Sequence, residues 1–254
     1  MTRSVHPSRF TIGTALSLGL ALASSAWAKP AAAAGGPPPA CGLKALPLAV
    51  GNTWTYKSGT QQVSIKVLDV SPGKDYAGKP TTVITTEETY QGRTIKAMST
   101  CSAAGFQASI DSFFFSGEAG GAAGGALNVT DRDRVTLLPD DQLVTDQGWI
   151  EIVKADVVRS DGAGLGVTHE PAKVEVERHV SIKGDERLMI GIGQFTTQKV
   201  YFELRGRGVV GEQTVEIPIK RPAMIWLAKG VGFIKVEDAF DKTWELVESS
   251  VLPK

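Results

Sequence analysis

From Asn52 onwards, apolar and polar residues alternate in one short run after another. Val63, Ile65 and Val67 are separated by Ser64 and Lys66, the pattern of a strand with one buried face. Thr53-Trp54-Thr55-Tyr56 is rich in residues that suit a pleated, half-buried surface. Pro72-Gly73-Lys74-Asp75 is a turn signal. Thr81 to Tyr90 is dense in β-branched residues, and Gln91-Gly92 turns it into Thr94 to Cys101. Phe106 to Ile110 and Phe113-Phe114-Phe115 read as further short strands.

The second half repeats the pattern. Trp149, Glu151 and Val153 begin it. Val174, Val176, Val180 and Ile182 face one way with Arg178 interrupting them, and Glu175, Glu177, His179 and Ser181 face the other. Val200, Phe202 and Leu204 continue, followed by Val215, Ile217 and Ile219, with Pro218 marking an edge or a bulge. Ile225-Trp226-Leu227, Phe233 to Val236 and Thr243 to Val247 close the chain as strands. Outside the first residues no stretch sustains a helical period. The predicted fold class is all-β and antiparallel, a strongly curved sheet or a barrel-like domain.

The N-terminus obeys different rules. Arg3 and Arg9 precede the uncharged apolar run Ile12 to Ala23, and Ala26-Trp27-Ala28 has the small-x-small form of a cleavage site. This is the layout of a secretory signal peptide over residues 1–28, cleaved after Ala28. The apolar run is shorter than the roughly 20 residues a bilayer span requires. Residues 29–45 are a Pro/Ala/Gly-rich stretch with little to bury, read as a disordered tether. A single β domain is expected over 46–254, with order beginning near Leu46. The run from Gly117 to Ala126 is almost all Gly and Ala and is read as a flexible loop.

Charge and cysteine narrow the setting. The chain carries 27 basic and 27 acidic residues; without Arg3 and Arg9 the mature chain has 25 against 27. No Lys/Arg block is present, so neither nucleic acid nor an anionic lipid surface is expected as an obligate partner. The two cysteines, Cys41 and Cys101, are an even pair in an oxidising compartment and predict a disulfide. A lipid-anchored Cys41 is disfavoured because Pro38-Pro39-Ala40 precedes it in place of a lipobox.

Motifs that resemble chemistry lack their context. Gly206-Arg207-Gly208-Val209-Val210-Gly211 matches G-x-G-x-x-G, but Thr214 to Ile219 alternates as a strand where a phosphate-binding helix is required. It is read as a glycine-rich turn. Gly73 to Lys79 imitates a phosphate loop, but Pro80 stands where Ser or Thr would hold magnesium. His169 and His179 are the mature chain's two histidines, and His169-Glu170-Pro171 is not a helical zinc motif. Asp131, Asp133, Asp140 and Asp141 are read as solvated charge, Asp131 and Asp133 being interleaved with Arg132 and Arg134. No catalytic residue, metal site or cofactor is assigned. Trp54, Trp149, Trp226 and Trp244 are either core filling or the lining of an apolar cavity within a curved sheet.

Three segments carry a resemblance. Pro47 to Tyr56 reads Pro-Leu-Ala-Val-Gly-Asn-Thr-Trp-Thr-Tyr. Ile190 to Phe195 is followed by Lys199-Val200. Trp226 to Val236 reads Trp-Leu-Ala-Lys-Gly-Val-Gly-Phe-Ile-Lys-Val, followed by Glu245-Leu246. Together they resemble the TapB-like exported β-domain proteins of bacteria. The resemblance implies an envelope-associated domain and supplies no catalytic residues. Physically, Trp54, Trp226, Gly230 and Gly232 are read as fold-making positions, the glycines forming a tight corner.

The expected function is that of a periplasmic or secreted binding or assembly module of the cell envelope, non-catalytic. Its expected partner is an envelope protein or an apolar small molecule. The alternatives are a carboxylate-dependent hydrolase of an envelope polymer and a purely structural envelope domain.

Overall fold

The computed structural model describes residues 41–75, 77–117, 126–158, 172–210, 213–239 and 241–252. The expected signal peptide, its cleavage site at Ala26 and Ala28, most of the Gly/Ala run and His169 lie outside the described residues.

The first meander is β1 (Thr53–Ser58), β2 (Gln61–Lys74), β3 (Pro80–Tyr90), β4 (Arg93–Ser102) and the short β5 (Gly105–Gln107). The second is β6 (Ala126–Arg132), β7 (Gly148–Val158), β8 (Ala172–Ile190), β9 (Gly193–Val210), β10 (Gln213–Ala228), β11 (Gly232–Glu237) and β12 (Thr243–Ser249). All neighbours are antiparallel, and β12 pairs with β1. The result is a 12-stranded sheet in the order β5-β4-β3-β2-β1-β12-β11-β10-β9-β8-β7-β6. The chain's first and last strands therefore meet at its centre, and the two edge strands are consecutive in sequence. The sheet is curved and is not closed by a ladder. Where its edges approach, an isolated bridge joins Phe106 of β5 to Leu137, beyond β6. Within β10, the register against β9 shifts between Ile217 and Arg221, which places Pro218 at a bulge inside the sheet.

Alternation decides which side chains fill the sheet. Tyr56, Val63, Ile65, Val67, Ile84, Val180, Ile182, Phe202, Ile225 and Val236 are buried in one core cluster. The sequence reading differs from the structure at Phe113-Phe114-Phe115. These residues form a one-turn helix, α1 (Phe113–Ser116), rather than a strand. Ser112 caps it, its hydroxyl accepting from the Phe114 N–H at 3.2 Å, and Gly117 ends it at a left-handed φ of 71°. Tertiary packing is the reason. After β5 the chain folds into the core, and a single helical turn, its first N–H groups taken by Glu88 and the Ser112 hydroxyl, points Phe113 and Phe114 into apolar surroundings and Phe115 towards two guanidiniums. Phe114 packs edge-on against Trp54, Phe106 and Phe233, and Phe113 packs edge-on against Trp244 and tilted against Tyr56. Burying such a ring contributes about 1.5–3 kcal/mol.

Residues 41–45, expected as the end of the tether, are packed. Cys41 is bonded to Cys101 with a Cα–Cα distance of 5.1 Å. The Asp140 carboxylate accepts from the backbone N–H groups of Lys44 and Ala45, and Leu43, Ala45 and Leu46 are buried. A composition poor in apolar residues says little about a segment fastened by a covalent bond and a carboxylate 95 positions away.

Candidate functional site

A groove of about 910 Å³ runs beside the meeting of the sheet's edges. One wall is the Asp75–Lys79 turn with the ends of β3 and β4; the other is the segment Arg132–Val135 with Gln142 and Trp149. The turn is built by Asp75, whose Oδ1 accepts from the backbone N–H groups of Ala77 and Lys79. The same stretch that imitates a phosphate loop is therefore a hairpin turn. Trp149 is held in the wall by its indole N–H, which donates to the Val135 carbonyl at 2.8 Å. Its ring is half-buried. Across the floor Thr100 donates to the Gln107 amide oxygen, and the Gln107 amide donates to the Arg134 carbonyl. Lys79, Asp133, Arg134 and Gln142 are exposed along the rim. The arrangement can hold a polar partner by charge, amide contacts and an aromatic face.

Two aspartates line this groove, the feature a two-carboxylate hydrolase requires. Each commits one oxygen to backbone: Asp75 as above, and Asp133 by accepting from the Ile152 N–H at 2.7 Å. The carboxyls raised by burial, Glu88 and Asp111, do not line the groove. Asp131 pairs with exposed Lys154, and Asp140 braces residues 44 and 45. No cluster of three or more metal-ligating side chains occurs among the described residues.

The other sequence-derived positions fall elsewhere. Trp54 is fully buried and donates to the Val231 carbonyl at 2.6 Å. Gly232 has a φ of 102°, and a Cβ there would meet Leu46 Cδ1 at 2.8 Å. Gly230, with φ 77°, turns the chain in open space. Trp226 does not join the core cluster. It lies between its cross-strand neighbours Lys199 and Lys235, whose ammonium groups stand 5.0 and 4.7 Å from its ring, and it donates to Glu186. Gly206 to Val210 belong to β9, paired on both sides, which corrects the expected glycine-rich turn and leaves no helix for a dinucleotide. His179 contacts Glu177 at 2.9 Å on a partly exposed face.

Two polar clusters inside the core escaped the sequence reading. In the first, Glu88 of β3 accepts from the Ser112 hydroxyl at 2.5 Å and the Phe113 N–H at 2.8 Å, so a distant strand caps α1. Burial pushes the Glu88 carboxyl up to about 7, against the hydrogen bonds that favour its ionised form. Burial, aided by Glu88, also holds the Tyr56 hydroxyl well above its ordinary range. In the second cluster, Glu151 of β7 sits opposite Arg178 of β8 and pairs with Arg132 at the end of β6. The Arg178 guanidinium stacks over Phe202 at 4.3 Å and faces Phe115 at 5.7 Å. Burial pulls Arg178 down to about 10, with Glu151 opposing the shift and Arg132 adding to it. The signal for both was polar residues at inward positions of an alternating pattern, Arg178 among valines and Glu151 ahead of Val153.

No family model matches the chain, and no curated protein matches it. Three solved structures are similar to it. An exported protein with a YmcC-like fold from Bacteroides fragilis is 11% identical, with 81% of this chain and 98% of that one covered and a TM-score of 0.38. A lipoprotein from Parabacteroides distasonis is 13% identical, with 82% and 99% covered and a TM-score of 0.39. The hypothetical lipoprotein YmcC from Escherichia coli is 10% identical, with 83% and 87% covered and a TM-score of 0.37. With TM-scores below 0.5, these likenesses leave the function to be argued from the chain's own residues. None of the three bears the TapB-like name, which stays a resemblance.

Proposed function

We propose that this chain is an exported, non-catalytic binding or assembly module of the cell envelope, working in the periplasm or outside the cell, and that its partner binds in the groove beside the joined edges. The observation that carries the reading is the groove itself: about 910 Å³, walled by Trp149 and rimmed by Lys79, Asp133, Arg134 and Gln142. Such a lining suits a polar segment of an envelope protein better than an apolar small molecule. The concave face, the natural place for an apolar ligand in a curved sheet, is filled by Phe113, Phe114 and Phe115. The hydrolase alternative draws less support, because both groove aspartates brace backbone and neither raised carboxyl is there.

The test is site-specific photocrosslinking in the native envelope. A photoreactive residue at Gln142 is expected to give a discrete adduct that Trp149→Ala and Arg134→Glu both diminish, while one at exposed Met189 in β8 does not give it. Equal labelling from both positions would refute the groove. Turnover of an envelope polymer that disappears in folded Asp133→Asn would replace binding by catalysis.

A further inference from the structure

The groove beside the joined edges carries its charges unevenly. Lys79, at the end of the Asp75–Lys79 turn, and Arg134, on the facing wall, are both exposed. Neither forms an ion pair with a described residue. Both stand on backbone that is pinned. The Lys79 N–H donates to Asp75 Oδ1 at 2.8 Å, and the Lys79 carbonyl accepts from the Asp75 N–H at 2.9 Å. The Arg134 carbonyl accepts from the Gln107 amide at 2.7 Å. Two unpaired cations are therefore held on opposite walls of one cleft.

The floor adds to them. Arg132 also lines the groove, and its side chain is 1% exposed. It pairs with Glu151, the carboxylate that stands opposite buried Arg178 on β8. One carboxylate thus serves two guanidiniums, and a positive charge in excess lies beneath the groove, where solvent screens it little. The groove's own carboxylates are partly engaged. Asp75 accepts from two backbone N–H groups, and Asp133 from that of Ile152 at 2.7 Å. With Glu151, they set three carboxylates against the four cations Lys79, Arg132, Arg134 and Arg178. A cleft biased in this way focuses its field and favours a group of opposite charge.

The kind of anion follows from what stands beside the cations. A uniformly anionic polymer is met by runs of Lys and Arg. Here Asp75 and Asp133 share the lining, and each repels such a polymer. A peptide can set single carboxylates opposite Lys79 and Arg134 and turn neutral or donor groups to the aspartates. Exposed Gln142 offers amide contacts to its backbone.

We propose that the segment seated in the groove is acidic, a peptide stretch of a partner protein that places an Asp or Glu side chain between Lys79 and Arg134. The proposal rests on the groove being the binding site and names the chemistry of its occupant. Charge of this kind acts on encounter and on the choice of partner, so binding is sensitive to salt.

The experiment uses the full chain in its native envelope, with the photoreactive residue at Gln142. Raising sodium chloride from about 50 mM to about 500 mM is expected to lower the adduct yield severalfold. Lys79→Gln and Arg134→Gln, both at exposed positions, should each lower it about two- to fivefold, the range of a single ion pair near a surface. A carbodiimide should couple the Lys79 amine to an Asp or Glu of the same partner, as an amide formed with loss of water. Lys79→Arg keeps the charge and removes the amine, so that product should vanish while the photoadduct falls less than in Lys79→Gln. An adduct indifferent to salt and to both glutamine variants, with no coupling at Lys79, overturns the acidic segment and leaves the groove as the binding site. Coupling of Asp75 or Asp133 to a partner lysine with none at Lys79 does the same, as does an adduct that survives exhaustive proteolysis as a glycan. No adduct at Gln142 overturns the groove itself, and this proposal with it.

Discussion

Glu88→Gln is expected to remove a pH dependence that the native chain carries at near-neutral pH. Glu88 is 3% exposed, and its carboxyl is raised from 4.5 in the unfolded chain to about 7 in the folded one. The folded state thus holds the proton more tightly. Its contribution to stability is complete below pH 4.5 and is lost as pH rises through 7. A shift of about 2.5 units at about 1.36 kcal/mol each is on the order of 3 kcal/mol lost between pH 4.5 and pH 8. Glutamine keeps the shape and never ionises. It can accept from the Phe113 N–H with its oxygen and donate to the Ser112 hydroxyl, so α1 keeps its cap. Urea unfolding followed by tryptophan fluorescence, at half-unit steps from pH 4.5 to 8, measures both proteins. Buried Trp54 and Trp244 report loss of the core. Asp111, also raised by burial, is present in both proteins, and its charge adds only a lesser part of the Glu88 shift. The native curve should fall by about 3 kcal/mol relative to the variant, which should be the more stable above pH 7. Parallel curves across the range would refute the reasoning, since they would mean that Glu88 is solvated or already pairs with a cation.

Phe114→Ala should cost about 3–5 kcal/mol, because the ring touches Trp54, Phe106 and Phe233 and nothing can collapse into its place; a loss under 1 kcal/mol in chemical denaturation would mean that α1 does not fill the sheet. Replacing both Cys41 and Cys101 by Ser opens a 60-residue separation and should cost on the order of 4 kcal/mol on a chain-entropy account, read as a fall in Tm that reductant reproduces in the native protein. Trp149→Ala should leave stability within about 1 kcal/mol, the half-buried ring having one hydrogen bond, while weakening partner capture; a larger loss of stability would make Trp149 a structural residue.

Much of the fold is local information. An alternating run such as Val63, Ile65 and Val67 needs only its own residues to present an apolar face, because successive side chains on a strand point to opposite sides. Turn glycines and the Ser112 and Gly117 caps are equally local. The caps were present in the sequence around Phe113 to Phe115, but a four-residue helix is too short to show a period. Three consecutive phenylalanines therefore read as a strand.

The groove was not legible, because its walls come from residues 75–81, 100–107 and 132–149, and only the curvature of the sheet brings these together. The same holds for the buried charges. That Glu151, Arg178 and Glu88 point inward follows from alternation along their strands. Whether an inward charge is tolerated depends on what stands opposite, and for Glu88 that is Ser112 and Phe113, 24 and 25 residues away. The sequence by itself thus determined the strand class, the paired cysteines and the buried side of alternating strands such as β2 and β9, since each depends on near neighbours. The tertiary structure decided that the sheet stays open, that α1 fills its concave face, and that two polar clusters lie within the core. Those outcomes are set by distant groups that offset one another's desolvation, and no local pattern records the distance between them.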